Sequence, residues 1–214
     1  MAGSSGYFLR SEVIIAVLLS TLGILCVVLL PLLFTLTAFV CVTPFIAVMY
    51  AEDKTRSLKR FGLSIAVTTL PQFCAGACVA PSSAKASLLS MIVIAVFSTA
   101  VVAFACTLKR ILRKDFAIFI ALSVCVLLLS SVFVFEYLPF RNYSLIQVAI
   151  DLNPFCAVFY GAADYDWLHS SSMYDVVGSY YPFRQPTVLR TSLIYSLIAF
   201  PLVLAAFFPR KRRT

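Results

Sequence analysis

The sequence predicts an all-α integral membrane protein: six transmembrane helices, both termini cytoplasmic, and a re-entrant or interfacial helical hairpin between the fifth and sixth spans. Three observations carry that fold class. The 214 residues are 62% hydrophobic, with only 17 Lys and Arg and 9 Asp and Glu, too few charges to cover a water-soluble domain of this length. The apolar residues gather in runs of about 20, the length that crosses roughly 30 Å of hydrocarbon at 1.5 Å per residue. The basic residues sit in short clusters at the ends of those runs rather than on one amphipathic face. The formal charge of +8 therefore reads as a topology signal, and no nucleic-acid partner is expected.

The elements follow in order, as one transmembrane domain spanning residues 1–214. Met1 to Arg10 holds one basic residue before the apolar run and no small-residue cleavage site closes it, so it is expected to remain in the mature chain. Val13 to Tyr50 carries no charge over 38 positions. As one helix it would measure about 57 Å, nearly twice the hydrocarbon thickness. Pro31 is the natural turning point, since it lacks the helix donor and restricts its predecessor. This gives spans at 13–30 and 32–50, the alternative being one tilted span followed by an interfacial or re-entrant stretch. Glu52 to Arg60 is too polar for lipid and forms a loop or surface helix.

The run at 63–82 is interrupted by Thr68, Thr69, Pro71, Gln72, Gly76 and Pro81. Charge decides in favour of a span. If 63–82 crosses, the clusters at 54–60, 109–114 and 210–213 share one side; if it does not, the middle cluster is forced across, against the positive-inside rule. Spans at 86–107, 116–137 and 188–208 are long, almost uncharged and bounded by polar residues. This arrangement puts 13 of the 17 Lys and Arg inside, leaving Lys85, Arg141, Arg184 and Arg190 outside.

The external segment, 138–187, differs in composition. Seven of the ten tyrosines fall between Tyr137 and Tyr181, together with the lone Trp167, which suits a cap at the headgroup layer. Within it, Ile146 to Tyr160 holds two short apolar arms meeting at Asp151, Asn153 and Pro154. Neither arm can cross. Non-helical backbone at membrane depth is tolerated only where protein or water surrounds it, so this pattern predicts a re-entrant hairpin. A flat interfacial helix kinked at Pro154 is the competing arrangement.

Little in the chain points to catalysis. Asp164, Asp166, His169 and Asp175 have no ligand spacing and read as a solvated loop rather than a metal site. Cys74 and Cys78 share a helix face but lack a second pair, and with Ala75, Gly76 and Ala77 they read as close-packing small residues. The other cysteines, Cys26, Cys41, Cys106, Cys125 and Cys156, likewise read as core residues. No span carries an Asp, Glu, Lys, Arg or His near its middle, which argues against a proton-driven carrier, and Glu136 sits close enough to a span end to reach water. Phosphate-binding loop, paired-His zinc helix and nucleophile elbow are all missing, so no enzymatic activity, cofactor or metal is expected.

Taken together, the layout resembles the permease subunit of a type 2 ABC exporter. Glu52-Asp53-Lys54-Thr55-Arg56-Ser57-Leu58 with the later Thr68-Thr69-Leu70-Pro71 looks like a loosened version of that family's coupling segment. Leu152-Asn153-Pro154-Phe155 is similar to its break before the last span, and Pro209-Arg210-Lys211-Arg212-Arg213 to its basic tail. The chain departs from the pattern in Arg56-Ser57, which replace Gly-Thr, in a longer interval to Thr-Leu-Pro, and in a nearly absent first external loop.

The resemblance implies a membrane-spanning subunit exporting an unidentified substrate, working as a homo- or heterodimer in the cell (inner) membrane with a separate nucleotide-binding ATPase. It assigns Glu52, Asp53, Lys54, Arg56, Lys59 and Arg60 to ATPase coupling, and Asp151, Asn153, Pro154 and Phe155 to a re-entrant gate. The alternative is a non-transporting structural or assembly protein of the membrane, with the aromatic cap as its binding surface.

Overall fold

The computed structural model describes residues 32–51, 61–63, 65–67, 69–70, 84–136, 143–166 and 183–207. Regular structure among them is entirely helical: α1 (Leu32–Ala51), α2 (Ala84–Leu108), α3 (Lys114–Glu136), α4 (Tyr143–Leu152), α5 (Pro154–Cys156), a π-helical stretch (Ala157–Ala162) and α6 (Val188–Phe207). Among the described residues, α2, α3 and α6 are long and apolar enough to cross a bilayer. The protein is membrane-embedded. The run at 13–30 and the junction at Pro31 lie outside the described residues, as do 71–83.

α2 is the centre of the bundle, 56% buried over its most apolar window against 28% for α3 and 17% for α6. Val93, Ile94, Phe97, Val101, Val102 and Ala105 form its core, meeting Val40, Ala47 and Val48 of α1, Cys125 of α3 and Tyr195 of α6. Three of its hydroxyls bond within the helix: Ser90, Thr99 and Thr107 donate to the carbonyls of Ala86, Ala95 and Ala103 at 2.7, 2.7 and 2.8 Å, while the buried Ser98 hydroxyl meets no acceptor among the described residues. Such back-bonding lets a polar residue sit in an apolar span without an orphan donor. The outward faces of α3 and α6 are lined by exposed Phe116, Phe119, Leu127, Leu189, Leu193, Leu197 and Phe200. That surface suits hydrocarbon and would be untenable in water.

α2 and α6 run parallel. Phe97 meets Tyr195 edge-on at 5.0 Å between centroids, and further along both helices the Thr107 hydroxyl donates to the Leu202 carbonyl at 3.2 Å. At the end of the series the Arg110 guanidinium donates to the Ala206 carbonyl, capping the last turn of α6. Phe61 packs edge-on against Phe207 at 5.3 Å, at the same end. α3 returns antiparallel after the turn at 109–113, in which the Ile111 and Leu112 amides both donate to the Leu108 carbonyl. Opposite this basic end lie the C-terminus of α3, the N-terminus of α6 and the broken helical pair formed by α4, α5 and the π-helical stretch.

Candidate functional site

Among the described residues one helical pair is sharply bent at a short break. Helices Ser144–Leu152 and Pro154–Ala162 are bent by 67° at Asn153. The local cause is Pro154, which has no amide to continue the helix and pushes its predecessor out of the helical region. Asn153 accordingly adopts φ −83°, ψ 114°, and Pro154 then occupies the first helical position of α5, where its missing donor costs nothing.

A helix that ends inside a membrane protein leaves four carbonyls without partners. Here each of the last four of α4 is answered. The Ser131 hydroxyl donates to the Ala149 carbonyl at 3.4 Å, the Asn153 amide to that of Ile150 at 3.1 Å, and the Thr191 hydroxyl to that of Asp151 at 3.2 Å. The Tyr195 hydroxyl donates to the Leu152 carbonyl. Asn153, with none of its surface exposed, works in both directions. Its side-chain amide donates to the Leu129 carbonyl at 3.0 Å and to the Ser131 hydroxyl at 3.3 Å, and its side-chain carbonyl accepts the Phe155 amide at 2.9 Å. One residue therefore caps α5 and ties the break to α3.

Asp151 lies on the α6 side of the same break. It is 4% exposed, and its carboxylate pairs at 2.6 Å with the guanidinium of Arg190, whose side chain is about half in contact with solvent. Gln147, one turn earlier, donates to the second carboxylate oxygen at 3.3 Å. Gln147 also clamps the Arg184 backbone, donating to its carbonyl and accepting its amide, both at 2.9 Å. The strand of chain entering α6 is thereby fixed to α4. Beyond Pro154, Phe155 stacks on Phe159 at 6.0 Å, and Phe159 meets Tyr165 edge-on at 6.4 Å. The π-helical stretch closes with the Ala163 amide on the Val158 carbonyl and that of Tyr165 on Phe159, followed by Asp164 at φ 53°.

Asp151, Asn153, Pro154 and Phe155 thus stand together at the break, all buried. Glu52, Asp53, Lys54, Arg56, Lys59 and Arg60 lie outside the described residues, and so do Cys26, Cys74, Cys78, His169 and Asp175. Asp164 and Asp166 are exposed, and Asp166 accepts a 2.6 Å hydrogen bond from Gln185. Among the described residues no group of three His, Cys, Asp or Glu converges on a metal-sized site. Cys125 and Cys156 are buried, Cys41 and Cys106 partly so, and none of the four is held in a disulfide.

Sequence reasoning missed Arg190, Thr191 and Tyr195, the α6 residues that hold the break. A signal was present: Thr191 and Tyr195 are four apart, on one face of an otherwise apolar helix, beside an arginine. Compared with family models, curated proteins and solved structures, the chain matches none.

Proposed function

We propose that the chain is the membrane-spanning permease subunit of an ABC-type exporter, with six spans, both termini in the cytoplasm and an ATPase supplied by a separate subunit. The observation that carries this reading is the bent helical pair at 143–162. Tyr195, which binds the Leu152 carbonyl, lies seven residues beyond the start of α6, so the break reaches about 10 Å past the end of that span. Broken helices at such depth, enclosed by protein and fully hydrogen-bonded, characterise transport proteins more than inert scaffolds. The pair acts as a gate, at the end of the bundle opposite the basic turn at 109–114.

The opposite end supports the energetic half of the reading. Phe61 follows directly on the polar segment 52–60, and Phe207 precedes the basic tail by two residues; these two rings touch. Phe61, Phe207 and the basic turn thus stand at one end of the described bundle, and the reading assigns the basic tail and the coupling segment with Glu52, Asp53, Lys54, Arg56, Lys59 and Arg60 to that end. That face is where an ATPase would push, and two copies of the chain, or this chain and a similar one, would enclose the path. The chain itself contributes no catalytic group.

The test is reversal of the coupling charge. Lys59→Glu with Arg60→Glu should leave the protein inserted and abolish co-purification of an ATPase subunit in mild detergent. A correctly oriented double variant that still retains its partner removes coupling from this segment. A wild-type chain that purifies with no ATPase at all supports instead the non-transporting structural or assembly protein.

A further inference from the structure

α3 and α6 both pack on α2, while no comparable packing joins α3 to α6. The result is a groove with α2 as its floor. Ala100 and Phe104 line the floor, Ala121 and Val124 the α3 wall, and Ile198 and Leu202 the α6 wall, around a cavity of about 220 Å³. Leu152 and Tyr195 also line it, at the end nearer the helix break. The one polar group among these side chains, the Tyr195 hydroxyl, is turned to the Leu152 carbonyl. The groove offers an occupant nothing but hydrocarbon.

The walls leave about 220 Å³ of apolar space, room for a slender chain of methylenes. Towards the other end the lining stops at Phe104, Ala121 and Leu202, and beyond it lies the turn at 109–114. Phe104 stands five residues before Lys109, about 7 Å along the helix. That turn carries Lys109, Arg110, Arg113 and Lys114 against a single acid, Asp115. Exposed apolar side chains lie among these cations: Ile111 at 79%, Phe116 at 55% and Phe119 at 66%. Cations interleaved with large exposed apolar groups match the boundary between phosphate and acyl chain. An acidic protein surface would leave Ile111 and Phe116 facing water or polar groups.

We propose that this groove binds one acyl chain of an anionic phospholipid whose phosphate lies against Lys109 and Arg113. The inference is independent of the transport reading. Charge complementarity selects the headgroup, and the groove selects a tethered hydrocarbon over a free anion.

The whole chain is reconstituted in nanodiscs of phosphatidylcholine containing a minor fraction of phosphatidylglycerol, then extracted gently and weighed by native mass spectrometry. One phosphatidylglycerol per chain should be retained, at least tenfold in preference to phosphatidylcholine. Lys109→Gln with Arg113→Gln should lower the phosphatidylglycerol affinity about thirtyfold, two charges at about fivefold each. Val124→Trp, which fills the groove from a position about one-third exposed, at 36%, should abolish retention of either lipid. Ile198→Trp on the facing wall repeats the block where the first variant folds poorly. Equal retention of the two lipids overturns the proposal, as does wild-type retention in a folded tryptophan variant. So does binding of glycerophosphoglycerol or an acidic peptide as tight as that of the phospholipid, which would make the turn a general polyanion or protein surface.

Discussion

At the scale of single residues, Asn153 is the position where most depends on one side chain. Its amide end holds Leu129 and Ser131 of α3, and its carbonyl end accepts the Phe155 amide of α5. Asn153→Ala would remove these three buried hydrogen bonds and cost about 1–3 kcal/mol, since buried polar groups that lose a partner forfeit solvation. Asn153→Asp should be no milder: it keeps the acceptor for Phe155 but removes both donors and brings a charge to a position with no exposed surface. Thermal unfolding of both variants in detergent checks this, and an aspartate variant as stable as wild type would mean the donors to α3 contribute nothing.

Asp151 and Arg190 pose a different case, because one partner is buried and the other half exposed. Removing the cation leaves an uncompensated buried carboxylate, while removing both leaves neutral groups. Arg190→Gln is therefore expected to cost about 3 kcal/mol, near the low end for breaking a buried pair because Arg190 is half solvated. Asp151→Asn with Arg190→Gln should recover most of it. A double-mutant cycle on melting temperature measures the difference, and equal losses in the single and double variants would reduce the pair to a bystander.

At the scale of elements, the turn in the chain was legible where a backbone rule applied. Asn153-Pro154 between short apolar arms announces a helix stop and a fresh start, and α4 ends at Leu152 with α5 beginning at Pro154. Other prolines show how context overrides the rule: Pro44 and Pro201 lie inside α1 and α6, which continue through them. The π-helical stretch after Cys156 had no signal in composition or periodicity. Its location is a matter of packing, since Gly161 lets it press against the start of α6. A Cβ there would lie 2.9 Å from both the Val188 side chain and the Val188 backbone nitrogen. Gly161→Ala should thus separate the two elements at a cost of about 1–3 kcal/mol, the usual range for overpacking. Adding Val188→Ala should not restore stability, because the backbone nitrogen remains in the way; full rescue by that second change would show the conflict was with the side chain alone. The α6 partners of the break were hidden for a related reason. Arg190, Thr191 and Tyr195 meet Asp151 and Leu152 from about 40 residues away, and only the folded parallel arrangement of α2 and α6 carries them there.

At the scale of the whole molecule, the question is which end of the bundle faces the cytoplasm, and charge motivates the proposed orientation. The sequence alone required three basic clusters to share a side. The geometry adds a reason that does not depend on counting charges: α2 and α6 are parallel, so the turn after α2 and the tail after α6 leave the bundle at the same end, joined by the bond from Arg110 to Ala206. The contact of Phe61 with Phe207 puts Phe61, the residue that follows the segment 52–60 in the sequence, at that end as well. The other end carries Lys85, Arg184 and Arg190, the last of these neutralised by Asp151. In the proposed arrangement Lys and Arg are retained on the cytoplasmic side, which turns the basic end inward. Single cysteines at Ser57, Arg113 and Thr214, placed one at a time in a cysteine-depleted chain, should resist an impermeant thiol reagent added to intact cells and react once the membrane is opened. A cysteine at Tyr165, beyond the helix break, should react from outside. Because the three inward positions come from three different clusters, labelling of any one of them from outside would break the shared end, and with it the six-span arrangement in which 63–82 crosses.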